Sequence, residues 1–496
     1  YGLSVLLTEE TDWIGGQLTS QAVPPDEHKY IEHTGCTASY REYRNKVRDY
    51  YRTHPYIIDE LKNKEFFCPG GSSVSRLAHP PRLALKFLEE MVQPYIDNGC
   101  LTIMKNTVLT AVDSDSNEIR SVSVSCNNQF TTALAKVYID GTDTGELVAL
   151  SKTEYITGDE GIDAYSEPSA SQRGDKRDMQ PINWAVAVER NDKNVCDNII
   201  PKPAEYDYFH SIKMPYDKYS VLSMYGPDSA TSRAKQFGFY NEEIGTEGQK
   251  LFGLFGYRRI ISSRYFKDNY EPYDVTLLNL PQNDFFMGNI FDDIQAEHNK
   301  YLSKQLTLSL LYYLQTEAPR EGGKRGYGEL ALRKDILGTV DGLAKSPYVR
   351  ESRRIKAKFT VTENDISRRY APCAPHFWDS VGVGCYNIDL HITTVSHSFF
   401  YSEAYPFEIP LGALIPDKMT NLLPACKNIG TTHLTNGCYR LHPIEWNIGE
   451  VVGLLCVYAK RLNKLPFEIY IDKKETERFQ DFLIDNGVQL RWNNIV

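Results

Sequence analysis

Apolar positions recur along this chain with two periods, and the switches between them mark its elements. Leu3–Thr8 is a short apolar run suited to a parallel strand buried on both faces; it ends in Glu9 and Glu10 and turns through Asp12 into Gly15–Gly16. Ser39–Arg52 mixes charged and aromatic residues and predicts an exposed helix, and CPGGSSVS at 68–75 reads as a loop. Pro81 suits a first helical position, and Leu83, Leu85, Leu88, Met91 and Val92 keep helical spacing until Asn98–Gly99 stops the run. From Leu101 to Ile139 the period shortens. LTIMKNTVLTAV, IRSVSVSC and ALAKVYID, separated by polar turns, predict a meander that returns to a parallel strand at Ala135–Ile139. Asp140, Gly141 and Thr142 end that strand, where α/β folds place ligands.

The section from about 185 to 365 differs, being richer in charge, proline and aromatics. It holds an apolar run at Val275–Leu280, a long amphipathic helix around Ile294–Thr316 and a breaker-rich loop near Gly322–Gly328, and it reads as an inserted cap. Beyond 365 the strand-and-helix signals return. Leu422–Cys426 suits a short strand and Thr431–Gly437 a polar turn, after which Pro443 opens a helix apolar on nearly every side. Ile444, Trp446, Ile448, Val451, Val452, Leu454, Leu455 and Val457 supply that character, which predicts burial. Gly449 and Gly453, four residues apart, predict close approach of another backbone. The division expected is a first core part at 1–185, a cap at 186–365, a second core part at 366–465, and a terminal helix and tail at 466–496.

Composition removes several function classes. A net charge of −10 without a Lys/Arg block argues against nucleic acid as a partner. No run approaches the roughly 20 apolar residues that cross a bilayer. The 10 cysteines include no C-x-x-C pair, so they read as small buried hydrophobes in a reducing compartment; the cytoplasm is favoured and export stays open. No metal site is expected: Asp389, His391, His397 and His376 are near in sequence but match no ligand spacing. Tyrosine is abundant at 33 residues, which predicts tyrosines lining pockets or interfaces. Oligomeric state is not legible.

The chain's opening carries the first chemical signal. In dinucleotide-binding folds the second strand ends in an acid that binds ribose, about 20 residues beyond a G-x-G-x-x-G turn. Tyr1 leaves no room for that turn, so the sequence reads as N-terminally truncated. A surface strand with two solvated glutamates is the other reading of these residues. The second signal is the buried helix opening at Pro443 behind a polar loop, since free N–H groups and the helix dipole there favour partial negative charge. A core helix with a polar cap explains it equally.

Together these segments are more specific. TEETDWIGGQLTSQAVPPDEH, SRLAHPPRLAL, VYIDGTDTGEL, LPQNDFF, VGCYNIDLH and NIGTTHLTNGCYRLHPIEWNIGE resemble, in this order, a family of FAD-dependent oxidoreductases. The likeness is to the glutathione-reductase-like flavoproteins, on the side of fumarate reductase and L-aspartate oxidase. It implies an α/β fold: a Rossmann-like three-layer FAD/NAD(P)-binding domain, here without its first strand and glycine loop, with an inserted α+β substrate or cap domain. It implies FAD as cofactor and a small-molecule substrate.

The resemblance gives Glu9 the ribose, with Glu10 as the register alternative, and brings Ile14, Gly15, Gly16 and Gln17 to the diphosphate and ribitol. Gly141 and Thr142 border the cofactor cleft. Asn428 stands where related flavoproteins carry an acid on the ribitol hydroxyls, and His442, Ile444 and Glu445 present backbone to the flavin pyrimidine ring. An ordinary turn or cap accounts for each of these as well. Trp13 either stacks on a ring or packs. For chemistry, His433, Arg440 and His442, Tyr386, Asp389 and His391, and Gln282, Asn283 and Asp284 are expected to converge on the flavin. Hydride transfer needs a base and an anion clamp. His391 or His433 suits the base and Arg440 the clamp, against the simpler role of hydrogen-bonded core residues. Three functions follow: an FAD-dependent hydride-transferring oxidoreductase, a dehydrogenase using nicotinamide alone, or a cofactor-deficient fragment or non-enzymatic binding protein of the same fold.

Overall fold

The computed structural model describes residues 2–493 apart from 116, 194, 241–242, 246–247 and 292–293, so Tyr1 and the last three residues of the expected tail lie outside the described residues. The first strand, β1 (Val5–Thr8), is followed by helices α1 (Ala38–Thr53) and α2 (Pro81–Asp97), and then by β2 (Leu101–Met104). β1 and β2 pair in parallel, Val5 opposite Leu101 through Thr8 opposite Met104. β1 is a parallel strand as expected, and the cover that its apolar faces call for is incomplete. Among the described residues β2 is its one strand neighbour, and Val5 and Leu6 remain 48% and 43% exposed.

α1 corrects a second expectation. It is not an exposed helix, because Tyr40, Tyr43, Arg44, Val47, Arg48 and Tyr51 are buried. Its arginines are tolerated inside because carboxylates neutralise them: Arg44 meets Glu27 at 2.7 Å and Glu32 at 2.9 Å, and Arg48 meets Glu32 at 2.8 Å. The meander is β3 (Thr107–Ser114), β4 (Ile119–Cys126) and β5 (Gln129–Ala133), all antiparallel; it departs from expectation in that LTIM pairs with β1 instead, the third strand is QFTTA, and the strand expected at Ala135–Ile139 begins at Tyr138.

The chain then enters β6 (Tyr138–Asp140) and leaves for the middle section. There β7 (Val186–Arg190), β8 (Arg259–Ile261) and β9 (Val275–Leu278) precede helix α3 (Ala296–Thr316) and strand β10 (Leu330–Leu332). These four strands form one antiparallel sheet in the order β8-β9-β7-β10. Leu306, Leu310, Leu311 and Leu314 of α3 join Val186, Val188 and Leu278 in a single apolar core.

The last third contributes β11 (Ser380–Gly384), β12 (Ile388–Leu390), β13 (Phe400–Ser402), β14 (Phe407–Pro410) and β15 (Leu422–Pro424), then helices α4 (His442–Arg461) and α5 (Lys473–Asp485). β15 returns to pair in parallel with β6, Leu422 opposite Tyr138 and Pro424 opposite Asp140. The fold is therefore mixed α/β, with two separate parallel pairs, β1–β2 and β6–β15, among the described residues. α4 is buried along Ile444, Ile448, Val451, Val452, Leu455 and Val457, as its composition requires. Its two glycines differ: another backbone approaches Gly449 as expected, the Ala425 carbonyl lying 3.4 Å from where a side chain would start, while a side chain at Gly453 would meet nothing within 4 Å. The segment 431–437 is more ordered than a turn, since Thr432 caps a short helix, His433–Asn436, by accepting from the Thr435 N–H.

The cysteines whose side chains are described are unpaired. Cys426 and Cys438 are the buried ones, Cys373 is exposed and the rest are intermediate, so the reading of all as core hydrophobes was too broad. Among the described residues no helix is long and apolar enough to cross a membrane.

Candidate functional site

Two adjoining regions meet at the N-terminus of α4. The first is a cradle built from four distant segments. Gly15 and Gly16 have left-handed φ values of +112° and +52°, and a side chain at Gly15 would lie 2.4 Å from Leu88 Cδ1. Only glycine allows that path. It delivers Gln17, which hydrogen-bonds the Glu445 carboxylate, and Gln21, which donates to Asp143. Lys427, with a fully buried side chain, joins the two acids at 2.6 Å (Asp143) and 3.4 Å (Glu445). Burial, only partly offset by Lys427, pushes Glu445 up to about 7. Asn428 does not face outward here: it donates to the Asp140 carbonyl at 3.0 Å and accepts from the Cys426 N–H, fixing the turn after β15 to the end of β6.

The remaining expected cofactor residues surround this cradle. Glu9 accepts from the Thr11 N–H and hydroxyl at 2.8 and 2.9 Å, and burial, with Asp143 nearby, raises its pKa. Ile14 is buried, its carbonyl accepting from Thr19. The position where a Gly141 side chain would project is open, and Thr142 donates back to Asp140 at 2.7 Å. Trp13 packs under the Arg82 and Lys345 cations. His442 Nδ1 accepts from the Asp26 N–H at 3.0 Å, Ile444 is fully buried, and Glu445 occupies the first turn.

The second region is a cavity that borders Arg440 and Leu441 and is lined by Asp26, Arg258, Arg350, Asp389 and His391 together with Tyr257, Tyr348 and Tyr386. Arg258 grips Asp26 with both nitrogens, at 2.8–3.1 Å. Despite its burial, that pairing lowers the Asp26 pKa. Asp284, buried behind the wall, holds His391 Nδ1 at 2.5 Å and Arg350 at 2.8 Å. Asp389 accepts from Tyr386 at 2.9 Å and lies 3.7 Å from His391 Nε2 and 3.4 Å from Arg440. Burial would raise the Asp389 pKa, but His391, Arg440 and Tyr386 carry it well below the carboxylate range. Burial likewise opposes the charge of Arg440, and Tyr348, Tyr386 and Asp389 outweigh it.

Unpartnered buried atoms show what this cavity lacks. Arg350, Arg440 and Asn279 line it, and their Nε, Nε and Nδ2 donors are buried without a hydrogen-bond partner. A ligand rich in acceptors would satisfy them.

His391 and Arg440 are thus brought together, and His433 is not. It lies outside the cavity lining, its Nδ1 bonded to Glu351 at 2.9 Å. Of the LPQND run, Asp284 holds His391, Asn283 braces backbone at Trp184 and Leu280, and Gln282 is buried without a partner. His397 contacts the Phe286 ring instead of joining His391, and no group of three metal-ligating side chains is gathered among the described residues. Lys427, Asp143, Arg258 and Arg350 were missed from sequence. Asp26 stood within a family-like motif and could have been singled out there.

The family model described as FAD dependent oxidoreductase matches residues 1–483. The chain belongs to this family. No curated protein matches it. FAD is accordingly its cofactor. The cradle suits that group: Gln17 Oε1, Gln21 Oε1 and His442 Nε2 are buried without partners, and a hydroxyl-rich ribityl chain and ring N–H would supply donors to the two amide oxygens. Gly16 leaves room beside them, a side chain there meeting only Asp143 at 3.9 Å; at the first turn of α4, however, Pro443 has no N–H and the N–H groups of Ile444 and Glu445 both donate to the Leu441 carbonyl at 2.9 Å, so the backbone presentation expected of Ile444 and Glu445 is not found.

His442 makes the cradle acid-sensitive. Burial lowers its pKa to about 4, so the folded protein binds its proton less readily than the unfolded chain. Stability from this residue should be complete above about 6.5 and fall as pH drops toward 4. Denaturant melts from pH 7 to 4 should show that fall, and His442→Gln should flatten it; equal slopes in both proteins would refute the assignment.

Proposed function

We propose that this protein transfers a hydride between a small, acceptor-bearing substrate and FAD, with His391 as the base and Arg440, aided by Arg350, as the clamp. The observation that carries the reading is the cavity at the N-terminus of α4, lined by Arg350, Arg440 and Asn279, each with an unpartnered buried donor, and by His391 with the Asp284 carboxylate behind it. When bound, FAD supplies the two-electron acceptor. The Nδ1–H of His391 is committed to Asp284, and Nε2, 3.7 Å from Asp389, is the ring nitrogen placed to exchange a proton with a substrate hydroxyl or amine. Arg440 is fixed by Tyr348 at 3.1 Å and by the Asp389 carbonyl at 3.1 Å, so its guanidinium is held at the cavity wall as a fixed cation for an anionic or carbonyl group.

The order of motifs supports membership in the glutathione-reductase-like group, on the fumarate reductase and L-aspartate oxidase side. The parallel pairs β1–β2 and β6–β15 support a Rossmann-like three-layer FAD-binding domain, with residues 1–185 and 366–465 as its parts. The antiparallel sheet and separate apolar core support 186–365 as the inserted substrate domain, and α5 belongs to the terminal 466–496.

The test is anaerobic. FAD-loaded protein should lose its visible flavin absorption with at least one of a panel of small hydroxy and amino carboxylates, and lose it less with the matching uncharged alcohols. Loaded protein that no such compound reduces, and whose chemically reduced flavin no keto acid or enoate reoxidises, overturns the reading. Failure to take up FAD at all would favour a binding protein of the same fold.

A further inference from the structure

His433 is buried, lies outside the cavity lining, and is surrounded by charge. Its Nδ1 donates to Glu351 Oε1 at 2.9 Å, and its backbone N–H donates to the Glu160 carboxylate at 3.0–3.2 Å. Arg354 bridges the same two acids, meeting Glu160 at 2.7 Å and Glu351 in a close ion pair. Glu167 reaches the adjacent Thr432 hydroxyl at 2.8 Å.

Glu351 is the node of this cluster because its second oxygen leads elsewhere. Oε2 accepts from the Gln180 N–H at 2.9 Å, and Gln180 Oε1 in turn accepts from the backbone N–H of His391 at 3.4 Å. Glu351 also directly follows Arg350, whose guanidinium reaches Asp284 and the Pro181 carbonyl. Glu351 is therefore tied to both cavity groups, to the His391 backbone through Gln180 and to Arg350 as its neighbour in the chain.

We infer that His433 is a positioning residue, its imidazolium clamping Glu351 and thereby setting Arg350 and His391 in the cavity. This rests on the reading of Arg350 and His391 as substrate-handling groups. It also reassigns His433, which the sequence offered as an alternative base. Burial disfavours the imidazolium, but Glu351 outweighs burial and raises the His433 pKa to about 9. An imidazole protonated at neutral pH accepts no proton, whereas it can hold a carboxylate in place.

The two roles predict opposite pH limbs. A base must be deprotonated, so activity would rise with pH through its pKa; a clamp must be protonated, so activity would fall as pH passes about 9. In FAD-loaded protein, His433→Gln should keep bound flavin, lower kcat/KM by about tenfold to 10²-fold mainly through KM, and remove the alkaline limb. The nitrogen-15 shifts of the wild-type imidazole, followed by NMR from pH 6 to 10, should report the protonated ring up to the same limb; this decides the matter even if the variant does not fold. A neutral ring at pH 7.5, removal of an acid limb instead of the alkaline one, or an unchanged profile in the variant would overturn the inference. If His391→Gln leaves turnover intact, it is the proposed function that fails. If His391→Gln abolishes turnover while His433→Gln leaves KM and the alkaline limb unchanged, only this inference fails.

Discussion

His391→Gln is expected to lower kcat/KM by about 10²- to 10⁴-fold, the usual contribution of a positioned general base. Flavin content and melting temperature should stay near those of the parent protein. Glutamine can still donate to Asp284, so the buried carboxylate keeps a partner in place of the 2.5 Å contact to Nδ1. What is lost is the basic Nε2. Asp284→Asn should act through the same residue, because a neutral amide no longer favours the tautomer with Nε2 free. It should also loosen Arg350, whose 2.8 Å ion pair with Asp284 disappears, so KM should rise along with the fall in kcat. Steady-state kinetics with flavin occupancy measured on the same samples separates these effects. Wild-type turnover in His391→Gln would move proton transfer to another group, with Tyr386 and Asp389, 2.9 Å apart, next to test.

The parts of this fold legible in sequence are those dictated locally. α2 begins at Pro81 and ends at Asp97 because proline, apolar spacing and Asn98–Gly99 all act within a few residues. The meander and the apolar α4 are read the same way, from alternation and from uniform apolarity. Local signals fail where a long-range partner changes a residue's meaning. The charge of α1 suggested solvent, yet Arg44 and Arg48 are buried against Glu27 and Glu32, and no periodicity announces such pairing. The glycine pair of α4 suggested close approach of another backbone, which holds at Gly449 beside the Ala425 carbonyl but not at Gly453.

The site divides along the same line. The turn at Gly15–Gly16 was legible because left-handed backbone selects glycine, and the family-like motifs marked the loop before α4. The cavity's ion pairs were not legible, since Asp26 and Arg258 lie 232 residues apart and Asp284 and His391 107 apart. A lone aspartate or arginine carries no trace in sequence of the partner that folding gives it. His433 and His391 look alike as single residues. What separates them is the company each keeps, a clamp inside a charge cluster for one and a cavity wall for the other.

Lys427→Met should be the most damaging single change to the cradle, costing about 3–5 kcal/mol of stability. The ammonium is wholly buried between Asp143 at 2.6 Å and Glu445 at 3.4 Å, and methionine fills its volume while leaving two carboxylates without a counter-ion. Glu445 can escape by taking a proton. Its folded pKa of about 7 already exceeds the unfolded value of 4.5, so the folded state binds the extra proton and stability falls as pH rises between them. Without Lys427 that pKa rises further, so the deficit of the variant should be larger at pH 8 than at pH 6. Lys427→Met/Glu445→Gln should recover part of the loss, because the amide needs no counter-ion. Flavin release should track stability, since Gln17 is positioned by the Glu445 carboxylate and Gln21 by Asp143. Urea melts at both pH values, with released flavin followed by fluorescence, read all three proteins. A single variant as stable as the parent, or a double variant no better than the single one, would show that the buried ammonium does not hold the cradle together.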